Sequence, residues 1–206
     1  LPAMSRRQRQ MCIRDRASIL DLSVAELNEY VKGCNAIASC LGHNMSFQGI
    51  FGKPRKLVTD ATKRLCSAIN EGEPKSTVKY ILMNTVGNRN RDLPEKISFS
   101  EKCIIWLLRL LVPPHIDNEE AADFLRTKIG QNDNTIKWVV VRPSSLIDEE
   151  DVSEYKTHPS PTRSAIFNDG KVSRVNVAAF MNKLITDQNL WEKWKGQMPV
   201  IYNKEK

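Results

Sequence analysis

Long apolar runs are missing from this chain of 206 residues. A membrane-spanning helix needs about 18 consecutive apolar residues, and the longest run, CIIWLLRLLVPP, is interrupted by Arg109 and ends in two prolines. The arginines near the first residue are not followed by the apolar segment of a secretory signal. We therefore expect no membrane-spanning helix and no membrane partner.

Closely spaced cysteine pairs are also missing. The cysteines are odd in number and scattered, and none forms a C-x-x-C pair, so neither a zinc site nor a disulfide framework is expected. Unpaired cysteines fit a reducing compartment, so we expect a cytoplasmic protein without a metal site. The five residues are Cys12, Cys34, Cys40, Cys66 and Cys103.

Strong positive charge is missing from most of the chain, although the formal net charge is +7. Residues 1–16 contain five arginines and one aspartate, a net charge of +4, which leaves +3 for residues 17–206. Folded nucleic-acid-binding domains usually spread basic charge over one face. Nucleic-acid binding through a basic arm is therefore the weakest of the functional hypotheses.

From residue 18 onward, segments typical of strands alternate with segments typical of helices. This alternation predicts an α/β fold, with a parallel sheet covered by helices on both faces. Ligands of such sheets bind beyond the carboxyl ends of the strands. The predicted strands are 18–22, 35–42, 78–87 and 137–146, and the predicted helices are 23–33, 55–70, 99–112, 118–130 and 174–186.

The segments ASCLGH, LMNTVG, WVVVRPSSL and GKVSRVNVAAFM resemble the short-chain dehydrogenase/reductase superfamily. They are most similar to its atypical, NmrA-like branch, and the resemblance covers residues 18–203. It implies a Rossmann-like domain over residues 17–206 with a small C-terminal lobe, an NADP or NAD cofactor, and an oxidoreductase activity. In that family, helices corresponding to CIIWLLRLL often form dimers, so a homodimer is also implied.

The resemblance assigns cofactor contacts to residues at four predicted strand ends. Asp21 and Leu22 would flank the adenine, the turn 39–42 would run under the cofactor, and Asn84 would face the nicotinamide. The polar stretch 153–170 would cover the substrate pocket, and Arg174 would form a structural salt bridge. The implied cofactor-binding residues are Asp21, Leu22, Ser39, Cys40, Leu41, Gly42, Asn84, Thr85, Arg142, Pro143, Ser144, Ser145 and Leu146.

The glycine-rich phosphate loop of that family is not found in the sequence. None of the nine glycines has the spacing of such a loop, and GIFGKP is interpreted as an ordinary loop. SILDL matches the family's third strand, so the first two strands and the loop are expected to be lacking. SILDL would then pair directly with NAIASCL or expose a free edge. We expect this chain to bind a dinucleotide weakly or not at all.

The family's catalytic Tyr-x-x-x-Lys is also not found. Aligning back from WVVVRP places His115 and Glu119 at those two positions. A histidine can act as an acid at neutral pH, which makes His115 a weak catalytic candidate beside the interpretation as a plain loop residue. A non-catalytic dinucleotide-sensing or partner-binding protein therefore remains an alternative.

Residues 1–16 have neither a hydrophobic period nor helix caps, and RQMCIRDR resembles translated sequencing-adapter DNA. We expect a non-native or disordered basic arm, with a genuine arm for an acidic partner as the alternative. The choice between NADP and NAD cannot be read, because the residue that meets the ribose would end the second strand.

Overall fold

The fold is taken from a computed structural model that describes residues 16–44, 46–95 and 97–204. The basic arm predicted for residues 1–16 lies, except for Arg16, outside the described residues. Within the described ranges, no helix combines the length and the apolar character needed to cross a bilayer.

Five strands form one sheet in the order β1-β2-β3-β7-β5. Strands β1, β2, β3 and β7 are parallel, and β5 joins β7 antiparallel. Two short strands, β4 and β6, pair separately. The bounds are β1 Ala36–Ser39, β2 Val78–Met83, β3 Ile136–Pro143, β4 Ser145–Ile147, β5 Tyr155–His158, β6 Lys171–Ser173 and β7 Val200–Asn203.

Helices cover both faces of the sheet, which confirms the predicted α/β class. Helices α1, α3 and α5 pack on the face that carries Tyr80 and Trp138. Helices α6 and α7 pack on the face that carries Ile81 and Val139. The bounds are α1 Val24–Val31, α2 Phe47–Phe51, α3 Leu57–Glu71, α4 Phe99–Leu111, α5 Pro113–Phe124 with a π-helical extension Leu125–Ile129, α6 Arg174–Thr186 and α7 Gln188–Trp194.

The prediction of a strand at SILDL is wrong. Residues 18–22 form a turn in which the Asp21 amide donates to the Ser18 carbonyl at 3.0 Å. The side chains of Ile19 and Leu22 pack against the core beside α3 instead of joining the sheet. Between residues 16 and 35 the structure therefore contains helix α1 but no strand, and SILDL neither pairs with β1 nor exposes a strand edge.

Local signals place the helices that the sequence predicts. Ser23 caps α1 and forms a reciprocal capping box with Glu26, as the spacing of the two residues indicates. Gly130 ends the π-helical extension of α5 at a φ of 69°, a conformation that glycine adopts without steric cost.

Candidate functional site

The carboxyl ends of β2 and β3 are joined by backbone hydrogen bonds. The Asn84 amide donates to the Val141 carbonyl at 2.8 Å, and the Val86 amide donates to the Pro143 carbonyl at 3.0 Å. The loop after β2 therefore lies against the end of β3. The structure thus brings the predicted residues of the Asn84 loop next to those around Pro143.

Ser144 carries an unsatisfied hydroxyl at this edge of the sheet. Its residue is 5% exposed, and its Oγ has no hydrogen-bond partner among the described residues. A buried polar group without a partner costs about 1–3 kcal/mol, and such groups usually bind a ligand or an ordered water. The Ser144 hydroxyl is therefore a spare hydrogen-bonding group just beneath this edge of the sheet.

The turn after β1 forms the open side of the same edge. Ser39 is buried at the strand end, whereas Cys40 is exposed with its Sγ 4.0 Å from the Met181 Sδ. A Cβ atom added at Gly42 would meet nothing within 4 Å. Together with the half-buried Leu41, this turn leaves room for a ligand above the sheet.

The polar side chains of Asn84 and Thr85 form hydrogen bonds within the protein. The Asn84 Nδ2 donates to the Asn118 carbonyl of α5 at 2.9 Å, and the Asn84 Oδ1 accepts from the Thr85 amide. The Thr85 hydroxyl accepts from the Gly87 amide at 3.3 Å. These contacts fix α5 relative to β2.

Asp21 and Leu22 do not lie at a strand end. Asp21 is exposed, while the side chain of Leu22 packs into the core and its carbonyl accepts from Arg64 Nη1 at 2.5 Å. The packing that the resemblance implies between Leu22 and an adenine ring is therefore replaced by packing against the core.

Arg142 faces the interior of the protein rather than the open edge. It is fully buried, and its Nη2 lies 2.7 Å from the Glu95 Oε1. Its other nitrogens donate to the carbonyls of Met198 at 2.7 Å and Asn88 at 2.9 Å. Its Nη2 also donates to the Pro159 carbonyl at 3.1 Å. Arg142 thus joins the loop after β2 to the segments around Pro159 and Met198, instead of facing the edge where the implied cofactor contact would be made.

The implied residues Ser145 and Leu146 leave the main sheet. Both belong to β4, which pairs with β6. Ser145 Oγ forms a short hydrogen bond with Asp169 Oδ2, and Ser145 and Leu146 are both exposed. Arg174 forms the expected ion pair, at 2.7 Å from Asp148.

His115 belongs to the first turn of α5, so its interpretation as a loop residue is wrong. Pro113 and Pro114 occupy the first helical positions, where proline is tolerated because those amides have no partner within the helix. His115 Nε2 lies 3.4 Å from Glu119 Oε1, one turn along. The His115 ring also adjoins the loop after β2, since its Cε1 would lie 3.8 Å from a Cβ at Gly87.

Glu119 is held as a carboxylate by its neighbours. Burial raises the pKa of Glu119, but the nearby His115 ring and the hydrogen bonds from Arg109 outweigh the burial and leave the pKa at about 2. Arg109 contributes through two nitrogens, Nε at 2.9 Å and Nη2 at 2.8 Å. A negative charge therefore stands at the position to which the resemblance assigns the family's lysine.

Asp117, which the sequence reasoning did not identify, caps helix α3. Its two carboxylate oxygens accept from the amides of Val58 at 2.8 Å and Thr59 at 2.9 Å. The His43 Nε2 lies 2.7 Å from the same carboxylate and joins the turn after β1 to α5. A single acidic residue just before the predicted helix 118–130 gives no signal of a partner so distant in sequence.

A cavity of about 290 Å³ opens beside Gly87. It is lined by Val86, Arg89 and Glu95 from the segment after β2, and by Ile105 from α4. Residues 161–165 close its other side. Part of the polar stretch predicted to cover the substrate pocket thus covers this cavity.

Comparison with protein families gives one match. The family model described as NAD(P)H-binding matches residues 1–188. A comparison with curated proteins found no match.

Several solved structures share the fold. The oxidoreductase ylbE from Lactococcus lactis is 16% identical, with a TM-score of 0.57 over 90% of this chain and 69% of that chain. A wide-type short-chain dehydrogenase/reductase from Veillonella parvula in complex with NADP is 14% identical, with a TM-score of 0.57 over 87% of this chain and 68% of that chain. ChuY, an anaerobillin reductase from Escherichia coli, is 16% identical, with a TM-score of 0.57 over 92% of this chain and 74% of that chain.

Proposed function

We propose that this chain, which belongs to the NAD(P)H-binding family, is an NAD(P)-dependent oxidoreductase of the atypical short-chain dehydrogenase/reductase branch. The proposal takes residues 17–206 as one Rossmann-like domain with a small C-terminal lobe. The observation that carries it is the buried, unpartnered Ser144 hydroxyl at the end of the central strand β3. A cytoplasmic location fits this function.

The residues at the carboxyl edge fit the nicotinamide half of the cofactor. A carboxamide has both a donor and an acceptor, and either can pair with the hydroxyl of Ser144. The open space above Gly42 allows a ring to approach the backbone. Ser144 and the turn 39–42 would therefore hold this half of the molecule.

The pyrophosphate half finds no comparable site in the part of the chain that the structure describes. Helix N-termini bind phosphate through free amides in their first turn. The first turn of α3 is occupied by Asp117, and that of α1 by the capping box of Ser23 and Glu26. Both caps also place a carboxylate where a phosphate would lie. We therefore propose that this chain holds the dinucleotide weakly.

The chain's own contribution to the reaction would be a proton. Bound NAD(P)H supplies a hydride, and reduction of a carbonyl to an alcohol also requires a proton at the oxygen. We assign that proton to His115, beside Gly87 at the carboxyl edge. Glu119, 3.4 Å away, would orient the ring and balance its charge.

A non-catalytic dinucleotide-sensing protein is the second candidate. It is favoured by the sequence, which lacks the Tyr-x-x-x-Lys of the family's catalytic members. Under this proposal, His115 and Glu119 would only stabilise α5.

Turnover separates the two candidates. We expect NADPH oxidation with a panel of quinones and ketones, and a loss of at least about tenfold in kcat for His115→Gln. His158→Gln, which changes a histidine of β5, serves as the matched control and should retain the activity. NADPH binding without consumption would support the sensing protein instead.

A further inference from the structure

The wall of the cavity beside Gly87 contains both arginines and glutamates, and these groups differ in how many of their hydrogen bonds the protein supplies. Two guanidinium groups, Arg89 and Arg163, and two carboxylates, Glu95 and Glu101, line it. Behind them lies the buried guanidinium of Arg142, 2.7 Å from Glu95. Counted together, these described groups carry one more positive than negative charge.

Both carboxylates of the wall already have protein partners. Glu95 accepts from Arg142 and, at 2.9 Å, from the Asn90 amide. Glu101 accepts from the hydroxyl of Ser164 at 2.5 Å and from the Ser98 amide at 2.9 Å. These hydrogen bonds, led by that from Ser164, hold the pKa of Glu101 below its usual range. Both carboxylates are therefore already hydrogen-bonded within the protein and have few free acceptor positions for a cationic ligand.

Arg89 differs from them in having a donor to spare. Its Nη2 donates to the Glu95 carbonyl at 3.0 Å, which fixes the side chain in the wall. Its Nε is buried and has no hydrogen-bond partner among the described residues. A buried guanidinium N–H without an acceptor is costly. The ligand that completes this wall is therefore a hydrogen-bond acceptor with negative charge.

The rest of the cavity limits the size and polarity of that ligand. A volume of about 290 Å³ is at the lower end for small-molecule pockets. The side chains of Val86, Ile97 and Ile105 supply apolar surface. Gly87, which also lines the cavity, lies beside His115, so a ligand here would be next to the proposed proton donor.

We propose that this cavity is the substrate pocket and that it binds a small monoanion. The ligand's carboxylate accepts from Arg89, and its apolar part packs against Ile97 and Ile105. The pocket's role in turnover rests on the proposed oxidoreductase function, whereas its preference for an anion rests on the wall alone. The two can therefore be tested separately.

The test compares benzoate with benzamide, which have nearly the same shape but differ in charge. Ligand-observed NMR titrations are made on the 206-residue chain without cofactor. We expect benzoate to bind at least about tenfold more tightly than benzamide, and Arg89→Gln to weaken benzoate by about tenfold. Arg89→Lys keeps the charge and should retain most of the affinity. Arg55→Gln removes the same charge from an exposed loop and should change nothing.

Three results would overturn the proposal: equal affinity for the two probes, no binding of benzoate, or equal effects of Arg89→Gln and Arg55→Gln. If Arg89→Gln does not fold, as judged by circular dichroism, the benzoate–benzamide comparison on the unaltered chain decides alone. A parallel assay of NADPH oxidation keeps the proposals distinct. Anion preference without NADPH oxidation would contradict only the oxidoreductase, and NADPH oxidation without anion preference would contradict only the anion pocket.

Discussion

The imidazole of His43 lies 2.7 Å from the carboxylate of Asp117, and both side chains are almost fully buried. The same carboxylate accepts hydrogen bonds from two backbone amides in the first turn of α3. One acidic group thus joins the turn after β1, the start of α3 and helix α5. The geometry of the candidate site depends on this joint.

Replacing Asp117 tests the joint. In Asp117→Asn, the new amide group cannot accept from both Val58 and Thr59, so a buried backbone amide loses its partner. We expect a loss of about 2 kcal/mol in the free energy of unfolding, measured by urea denaturation. Glu29→Gln, an exposed neutralisation on α1, should stay within about 0.5 kcal/mol of the unaltered chain. An equally small effect of Asp117→Asn would contradict the capping role.

The lowered pKa of Glu119 should make the free energy of unfolding depend on pH. Its pKa falls from an ordinary value of 4.5 to about 2 in the folded chain. A depressed carboxyl pKa stabilises the fold above the unfolded value, and this stability is lost as the pH falls from about 4.5 towards 2. The full contribution is about 3 kcal/mol.

Urea denaturation of the unaltered chain and of Glu119→Gln at several pH values measures that contribution. The difference in unfolding free energy should be large at pH about 6 and should shrink as the pH falls below about 4.5. Glu71→Gln, on the exposed side of α3, provides the control and should show no such trend. A difference that does not change with pH would mean that Glu119 acts through packing alone.

Replacing Ser144 tests whether its hydroxyl binds a ligand or stabilises the fold. Because its hydroxyl has no partner among the described residues, Ser144→Ala should leave the unfolding free energy unchanged within about 0.5 kcal/mol, or raise it. The same change should weaken binding of reduced nicotinamide mononucleotide by about tenfold, as expected for a lost hydrogen bond. Ser145→Ala, in the exposed β4, should not affect that affinity. Clear destabilisation by Ser144→Ala would show instead that the hydroxyl supports the fold.

Helix α4 predicts a homodimer. Phe99, Trp106 and Leu110 are 81%, 63% and 66% exposed, and their spacing places them on one face of the helix. An apolar helix face of this kind usually marks an interaction surface. Sedimentation should show a dimer that Trp106→Glu dissociates and that Lys75→Glu, in an exposed loop away from α4 in sequence, leaves intact. A monomer at all concentrations would contradict this prediction.

The sequence predicts the parts of this fold that have strong local signals. The buried runs of β2 and β3, and the capping box of Ser23 and Glu26, are found where they were expected. The prediction of a strand at SILDL was wrong because a five-residue segment of mixed apolar and polar residues also fits a turn with two side chains in the core.

The site could be predicted only in part, because its key contacts join residues far apart in sequence. Strand ends pointed to Asn84 and Ser144. In contrast, the partners of Asp117 and Arg142 are found 47 to 74 residues away, apart from one at 17, and no periodicity or motif marks such pairs. Arg142 is fully buried within strand β3. The apolar run around it in the sequence suggests this burial but does not identify its partners.

The central claim is that the described part of this chain binds the nicotinamide half of the cofactor but lacks a site for the rest. The most direct measurement is a pair of calorimetric titrations of the chain, one with NADPH and one with reduced nicotinamide mononucleotide. We expect weak binding of both ligands, with Kd values within about threefold of each other, since the capped helices α1 and α3 add no phosphate contacts. A stoichiometric NADPH complex about a hundredfold tighter than that of the mononucleotide would contradict it.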